Sequence, residues 1–345
     1  MESNINLNPD ELKKIAVRLC NVAGDADPDN DIKTLMPGWR VAWSSGKVTS
    51  PNYFFIAEHE SKDVYALAVR GSVSKDNGFS SDLDVFVDWG LEDLDAALAY
   101  WPFTSHDVAA GADKMPCISA GAYTGFTEML LSRNNLGLLP LLSLQQALMF
   151  LTKNGDKKLI ITGHSLGGNL ANVYASYFAE CLKRQFSKTA DNVLLVTFAA
   201  PASGNADFAN DLDAKITNAW HLHNIRDVVP NFPVAGRLLL VSDFYKPKTP
   251  DATVIQIPAQ KGQDPMTVHD FYQKMADVLL LFGYQQPKNN YEYFEAALDS
   301  RWKENTIDDW HGQVGFQHQL FNYAKHLGVD LQPIKNPLVT AAAVV

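Results

Sequence analysis

One serine in the chain has the neighbours that a catalytic nucleophile needs. Residues 163–167 read GHSLG, the G-x-S-x-G pattern, after the β-branched run KLIIT at 158–162 and before a helical pattern at 169–186. The pattern also arises by chance, so its place between a strand and a helix is what makes it specific. A serine on such a sharp turn exposes its hydroxyl, and the crowding there favours glycine two positions away on either side. We therefore predict that Ser165 is a nucleophile.

From about residue 64 to 235 the chain resembles the class 3 lipase family of α/β-hydrolases. The resemblance lies in GHSLGG and in three further motifs: RGS at 70–72, TFAAP at 197–201 and NIRDVVPNFP at 224–233. Two positions depart from the family pattern: SAGA at 119–122 stands where His-x-Gly-Phe is usual, and Ala199 replaces a glycine. The resemblance implies an α/β-hydrolase fold, with a mostly parallel central sheet and helices on both faces.

A serine nucleophile needs an imidazole base that a carboxylate orients, and in α/β-hydrolases the chain order is Ser, Asp, His. Asp227 lies two residues after the end of the β-like run AWHLHNI and directly precedes VVP, which resembles the D-x-V-P pattern of the family. Carboxyl ends of parallel strands form the active-site edge of such sheets. We predict that Asp227 orients the base; the plain alternative is a turn residue paired with Arg226. Asp243 and Asp251 are weaker substitutes.

The base is harder to choose because four histidines follow Asp227. His318 lies in FQHQLF, which resembles the histidine and aromatic-rich segment near the end of the family's sequences, and we predict that it is the base. His311 is the main alternative, and His269 and His326 are weaker ones. His164 lies inside the nucleophile motif with its side chain beside the serine, so it is excluded. Two more histidines on the strand before Asp227 are predicted to be core residues: His221 and His223.

Acyl transfer places negative charge on a carbonyl oxygen, which fixed hydrogen-bond donors must stabilise. The N–H of Leu166, directly after the nucleophile, is predicted to supply one donor. The family resemblance implies that Ser72, at the end of the strand VYALAVRG, supplies the second through its N–H and hydroxyl. The alternative is that Ser72 only begins a turn.

Two long segments are not explained by the elements around them. Residues 73–118 combine acidic residues with Trp89, Trp101 and Phe103, which predicts either a lid over an apolar pocket or a surface excursion with its aromatic rings in the core. Residues 240–310 form an insertion of unknown role. Since no linker or internal repeat separates these segments from the rest, we predict one α/β-hydrolase domain over 1–345.

Hydrophobic periodicity supports an α/β arrangement. Helical spacing occurs at 9–23, at 120–153 with an interruption near 136–140, and over most of 269–326. β-rich runs occur at 53–58 and 64–71, which predict a hairpin, at 192–198 and 219–225, and as LLLV and TVIQI within 237–257.

Composition excludes several classes of protein. The chain has 345 residues, 46% of them hydrophobic, and a net charge of −10, so we expect a globular protein that does not bind nucleic acid. Cys20, Cys117 and Cys181 have no metal-like spacing and are expected to be free thiols. Neither a metal nor an organic cofactor is expected. No run is long enough to span a membrane, and no Sec-type signal peptide is visible, which leaves a cytoplasmic chain or another export route.

The predicted activity is that of a serine carboxylester hydrolase, similar to a triacylglycerol lipase, that acts through an acyl-enzyme. Its expected substrates are lipid or other carboxylic esters at a lipid–water interface. A phospholipase A1 or a short-chain esterase would use the same residues. A catalytically silent hydrolase-fold interaction module is the alternative of another class. Acyl-chain length, headgroup and oligomeric state stay open.

Overall fold

The computed structural model describes residues 7–46, 48–50, 52–72, 95–105, 114–134, 139, 141–257 and 264–335. Its strands are β1 (Trp39–Ser44), β2 (Phe54–His59), β3 (Val64–Val69), β4 (Leu98–Tyr100), β5 (Cys117–Ser119), β6 (Lys158–His164), β7 (Val193–Phe198), β8 (Gly204–Asn205), β9 (Ala219–Asn224), β10 (Gln256–Ile257), β11 (Met266–Thr267), β12 (Tyr284–Gln285) and β13 (Tyr291–Phe294). Its α-helices are α1 (Pro9–Ala23), α2 (Pro28–Leu35), α3 (Ala120–Leu131), α4 (Leu144–Leu151), α5 (Leu166–Phe186), α6 (Ala206–Lys215), α7 (Ala235–Leu238), α8 (Val268–Leu279), α9 (Ile307–His318) and α10 (Leu320–His326). Short 3-10 turns cover Val229–Asn231, Val241–Asp243 and Leu280–Phe282.

The central sheet is mixed and largely parallel, as predicted. Its order is β1-β2-β3-β6-β7-β9-β13, in which β1, β2 and β3 pair antiparallel and every later pair is parallel. The predicted hairpin is confirmed by the register of β2 and β3, where Phe54 lies opposite Val69. Because β3, β6, β7 and β9 run the same way, the loops after them meet at one edge of the sheet.

Helices cover both faces of the sheet, and the alternation of side chains explains why. In β3, Tyr65 and Leu67 belong to the apolar cluster that contains α3, α4 and α5, whereas Ala66 and Ala68 belong to the cluster that contains α1 and α10. A strand buried on both faces needs apolar residues at every position, which is what the sequence has. The chain therefore has the predicted α/β-hydrolase fold.

A third apolar cluster forms from the segment between β9 and α9. It includes Val228 and Val229 just after β9, Tyr272 of α8 and Trp310 of α9, and Leu166 packs against it. This cluster therefore borders both the turn that contains Ser165 and the loop that follows β9.

Two predictions in the second half of the chain are wrong. The run LLLV is helical: Leu238 and Val241 are fully buried while Leu239 and Leu240 are exposed, the i, i+3 spacing of a helix rather than a continuously buried strand. In TVIQI only the last two residues are in a strand.

The predicted helical pattern of 269–326 holds for α8, α9 and α10 only. Between α8 and α9 the chain forms β12 and β13, and β13 is an edge strand of the central sheet, parallel to β9. Its alternating YEYF sequence places Tyr291 and Tyr293 two residues apart, the spacing of one face of a strand.

Much of the candidate lid, 73–118, lies outside the described residues, including Trp89. In the described part, Trp101 is fully buried, its ring contacts Phe126 and Phe208, and its Nε1 donates to Ser176 Oγ over 3.1 Å. Phe103 packs against the same cluster. These two rings therefore pack into the core.

Among the residues that the structure describes, no helix combines the length and the apolar character needed to cross a bilayer. The same part of the chain contains no group of three or more His, Cys, Asp or Glu residues arranged to hold a metal ion. The three cysteines are buried free thiols.

Candidate active site

Ser165 occupies a strained turn between β6 and α5. Its φ and ψ are 58° and −131°, a conformation that L-residues rarely adopt. The turn closes only with glycine on both sides. A Cβ on Gly163 would lie 2.2 Å from the carbonyl carbon of Gly167, and a Cβ on Gly167 would lie 2.3 Å from the carbonyl oxygen of Val69. The two glycines let β3, β6 and α5 approach closely around the serine.

His318 lies between Ser165 and Asp227. Its Nε2 is 2.8 Å from Ser165 Oγ, and its Nδ1 is 2.8 Å from Asp227 Oδ2. Since a carboxylate only accepts, Nδ1–H donates to Asp227, which leaves Nε2 to accept from the serine hydroxyl. All three side chains are buried, with Asp227 at 0% exposure. This arrangement can transfer a proton from Ser165 to His318 while Asp227 holds the ring.

Two further donors hold the carboxylate of Asp227. The N–H of Val229 donates to Oδ1 over 3.0 Å, and the hydroxyl of Tyr323 donates to Oδ2 over 2.7 Å. Burial, with Asp227 beside it, raises the pKa of Tyr323 well above its usual value, so the phenol stays protonated and donates. These bonds compensate the burial of a negative charge.

His164 contacts the histidine rather than the serine. Its Nε2–H donates to the backbone oxygen of His318 over 2.8 Å. Burial and the neighbouring His318 ring lower the pKa of His164 to about 3, so its imidazole is neutral at pH 7. The residue before Ser165 thus holds the backbone of His318.

The chain after β3 lies against the nucleophile turn. A Cβ on Gly71 would lie 3.2 Å from Ser165 Cβ and 2.7 Å from the carbonyl oxygen of His164. Ser72, the next residue, is exposed. Leu166 is the first residue of α5, where an N–H has no partner inside the helix. Leu166 therefore adjoins Ser165 along the chain, and Ser72 follows a residue that lies against Ser165.

The other candidate acids and bases contact different parts of the chain. His311 lies two turns before His318 in α9, about 10 Å along the helix axis. His269 Nδ1 is 2.8 Å from Ser242 Oγ, and the His326 ring stacks on Phe294. Lys246 lies within 4.0 Å of both substitute carboxylates, Asp243 and Asp251.

Sequence reasoning did not identify three buried polar residues near the site. They are Tyr323, Asn224 and Gln317, all at 5% exposure or less. Asn224 is the first residue of the family-like segment NIRDVVPNFP, which is the one feature that could have drawn attention to it.

Comparison with known proteins finds a family that matches the middle of the chain. Residues 96–236 match the family described as Lipase (class 3). This part of the chain is similar to the class 3 lipase family. The matched region contains Ser165 and Asp227 and ends before His318, so the family match includes two of the three residues in the hydrogen-bonded chain.

The individual relatives that match this chain are distant. Phospholipase A1-II 1 of Oryza sativa subsp. indica is 26% identical over 212 residues, which are 59% of this chain and 49% of the relative. Senescence-associated carboxylesterase 101 of Arabidopsis thaliana is 29% identical over 96 residues, 28% of this chain and 16% of the relative. The matched parts thus span half or less of these two relatives.

A solved structure described as M37 lipase shares the fold over almost the whole chain. It covers 98% of this chain and 99% of its own chain with a TM-score of 0.70, at 16% sequence identity. The likeness extends through 240–310, so the segment that the sequence left unexplained is part of a fold that another protein shares.

Proposed function

We propose that this chain is a serine carboxylester hydrolase that cleaves lipid esters through an acyl-enzyme, as a triacylglycerol lipase does. The observation that carries the proposal is the continuous hydrogen-bonded chain from Ser165 Oγ through His318 to Asp227, with 2.8 Å at each step. The binding function of a silent interaction module would not require a serine in a strained conformation that is hydrogen-bonded to a histidine.

The reaction follows from this geometry. Ser165 Oγ attacks the ester carbonyl carbon while His318 Nε2 takes its proton. The N–H of Leu166, with Ser72, stabilises the oxyanion that forms. As the intermediate collapses, His318 Nε2–H protonates the leaving alcohol. Water then attacks the acyl-enzyme carbonyl while His318 Nε2 takes a proton from it. That proton passes to Ser165 Oγ as the bond from the acyl carbon to Oγ breaks, which releases the carboxylic acid and regenerates the serine hydroxyl.

The substrate class is supported by the family and by the names of relatives. One relative is named as a phospholipase A1 and another as a carboxylesterase, and both names denote hydrolysis of carboxylic esters. Because the rice protein matches 59% of this chain, phospholipase A1 activity is the second candidate.

A hydrolysis assay separates these functions. The wild-type chain and Ser165→Ala are compared on p-nitrophenyl esters from C2 to C16, on emulsified triacylglycerol, and on phosphatidylcholine vesicles. We expect hydrolysis of long-chain esters that rises when a lipid interface is present and is lost in Ser165→Ala. Preference for phosphatidylcholine would favour the phospholipase, and hydrolysis restricted to soluble short esters would favour an esterase. No hydrolysis by the wild type would contradict the proposal.

A further inference from the structure

Side chains from two strands donate hydrogen bonds to the last backbone carbonyls of α9. The backbone oxygen of Gln317 accepts a hydrogen bond from Asn224 Nδ2 over 3.0 Å, and that of His318 accepts from His164 Nε2 over 2.8 Å. The last carbonyls of a helix have no partner inside it, so these donors satisfy them. His164 directly precedes Ser165, and Asn224 lies three residues before Asp227. The backbone of α9 at the predicted base is thus bonded to the strands that end just before Ser165 and Asp227.

The link between β9 and α9 is formed by the side-chain amides of Asn224 and Gln317, and every polar atom of both amides has a hydrogen-bond partner. Asn224 Nδ2 donates a second bond, to Gln317 Oε1, over 2.8 Å. Asn224 Oδ1 accepts from the N–H groups of Arg226 and Ala296, over 3.3 and 3.1 Å. Gln317 Nε2 donates to the backbone oxygen of Ala297 over 3.0 Å. Asn224 and Gln317 are both at 0% exposure, where an unpaired amide would be costly, so neither side chain can rotate without losing several bonds.

We propose that Asn224 and Gln317 are positioning residues that fix His318 relative to Asp227. Two hydrogen bonds from one amide to the residue before His318 set the distance between β9 and the end of α9. That distance must be held for the imidazole to reach Asp227 and Ser165 at once, each over 2.8 Å. The inference rests on the proposed function, because only hydrolysis by Ser165 gives this alignment a measurable consequence.

The same helix supplies a matched control. Gln313 lies one turn before Gln317 in α9, is also at 0% exposure, and is equally well bonded. Its Nε2 donates to the backbone oxygens of Asp299 and Trp302, over 2.7 and 2.9 Å, and its Oε1 accepts from the N–H of Asp299 over 3.3 Å. The side chain of Gln313 therefore bonds α9 to the loop before this helix and not to β9.

The test compares Gln317→Met with Gln313→Met, since methionine keeps the length of the side chain and removes its hydrogen bonds. Both variants should lose stability to a similar extent. For Gln317→Met we expect kcat to fall about tenfold to hundredfold, with KM changed less than about threefold, because displacement of a catalytic group affects the reacting complex more than binding. The rate at which a fluorophosphonate labels Ser165 should fall in parallel. Gln313→Met should keep kcat within about twofold of the wild type.

All measurements are made well below the unfolding temperature of each variant. If Gln317→Met does not fold, Gln317→Ala replaces it, because the shorter side chain leaves room for a water molecule to pair with Asn224 and Ala297. Equal kcat in the Gln317 and Gln313 variants would overturn the inference while the wild type still hydrolyses esters. A wild type that neither hydrolyses esters nor reacts with the fluorophosphonate would instead contradict the proposed function, and this inference with it.

Discussion

The hydroxyl of Tyr323 and the ring of His318 share one oxygen of Asp227. Tyr323 donates to Oδ2 over 2.7 Å, and His318 Nδ1 lies 2.8 Å from the same atom. Tyr323 is fully buried and, because burial raises its pKa, acts as a neutral donor. The Oδ2 atom of Asp227 is therefore held by two donors. The orientation of the carboxylate toward His318 depends on Tyr323, which lies five residues after His318.

Replacing Tyr323 with phenylalanine should weaken catalysis and stability together. Loss of a hydrogen bond to a buried charged group should lower the free energy of unfolding by about 1–3 kcal/mol, and release of the carboxylate should lower kcat about tenfold. Urea denaturation and steady-state ester hydrolysis measure the two effects. Tyr174→Phe is the matched control, since the Tyr174 hydroxyl is buried with no hydrogen-bond partner among the described residues. Its kcat and stability should not fall; equal losses in both variants would show that the Tyr323 bond has no special role.

Gly163→Ala should disrupt the nucleophile turn. A Cβ there would lie 2.2 Å from the carbonyl carbon and oxygen of Gly167, so the backbone must move. We expect a loss of about 3 kcal/mol in unfolding free energy, with ester hydrolysis close to background. Gly236→Ala in α7 is the control, because nothing lies within 4 Å of its Cβ, and alanine there should be neutral or stabilising by up to about 1 kcal/mol. Wild-type activity in Gly163→Ala would contradict the described turn.

Ser72→Ala tests the second oxyanion donor. The backbone N–H of residue 72 survives and only the hydroxyl is lost, so the effect should be smaller than that of Ser165→Ala. We expect kcat to fall by about 10²-fold with little change in KM, since the donor acts on charge that develops only in the transition state. A change confined to KM would indicate that Ser72 positions the substrate instead.

Three buried histidines should make stability depend on pH. Burial lowers the pKa values of His164, His221 and His223 to about 3, whereas an unfolded chain binds these protons near pH 6.5. Between those values the unfolded state binds more protons, so the free energy of unfolding should decrease as the pH falls from 6.5 toward 3.

His221→Asn removes one of these titrating groups while keeping a polar atom near Thr197 Oγ1, which lies 2.7 Å from His221 Nδ1. Urea denaturation at pH 6.5, 5.5 and 4.5 should give a slope that is smaller by about 1.4 kcal/mol per pH unit, the contribution of one proton. An unchanged slope would show that His221 does not resist protonation in the folded chain.

The sequence predicted the parts of the fold that local pattern determines. The strand-turn-helix around Ser165 and the hairpin of β2 and β3 follow from short runs and glycine spacing, and both are present in the structure. The edge strand β13 was not predicted because its partner, β9, lies about 70 residues earlier and only tertiary pairing stabilises such a short strand.

The same limit applies to the site. Ser165, Asp227 and His318 were proposed from motifs, since their chemistry requires particular residue types in a known chain order. The motifs that contain Asn224 and Gln317 do not reveal what these side chains contact, and Tyr323 lies in none of the motifs. Asn224 meets Gln317 across 93 residues, and Tyr323 meets Asp227 across 96, so their partners become visible only when the helices after β13 pack on the sheet.

His318→Ala and His311→Ala separate the two candidate bases. Without His318, Ser165 has no proton acceptor among its described contacts, so both hydrolysis and fluorophosphonate labelling should be abolished. His311→Ala should retain most of both, because His311 lies two turns away along α9. Loss of labelling in His311→Ala with normal labelling in His318→Ala would reverse the assignment.

The most direct test of the account is to map the fluorophosphonate adduct by peptide mass spectrometry in the wild type and in His318→Ala. We expect one stoichiometric adduct on Ser165 in the wild type and none, over the same time, in His318→Ala. An adduct on a different serine, or labelling of Ser165 at the wild-type rate without His318, would contradict the proposed triad.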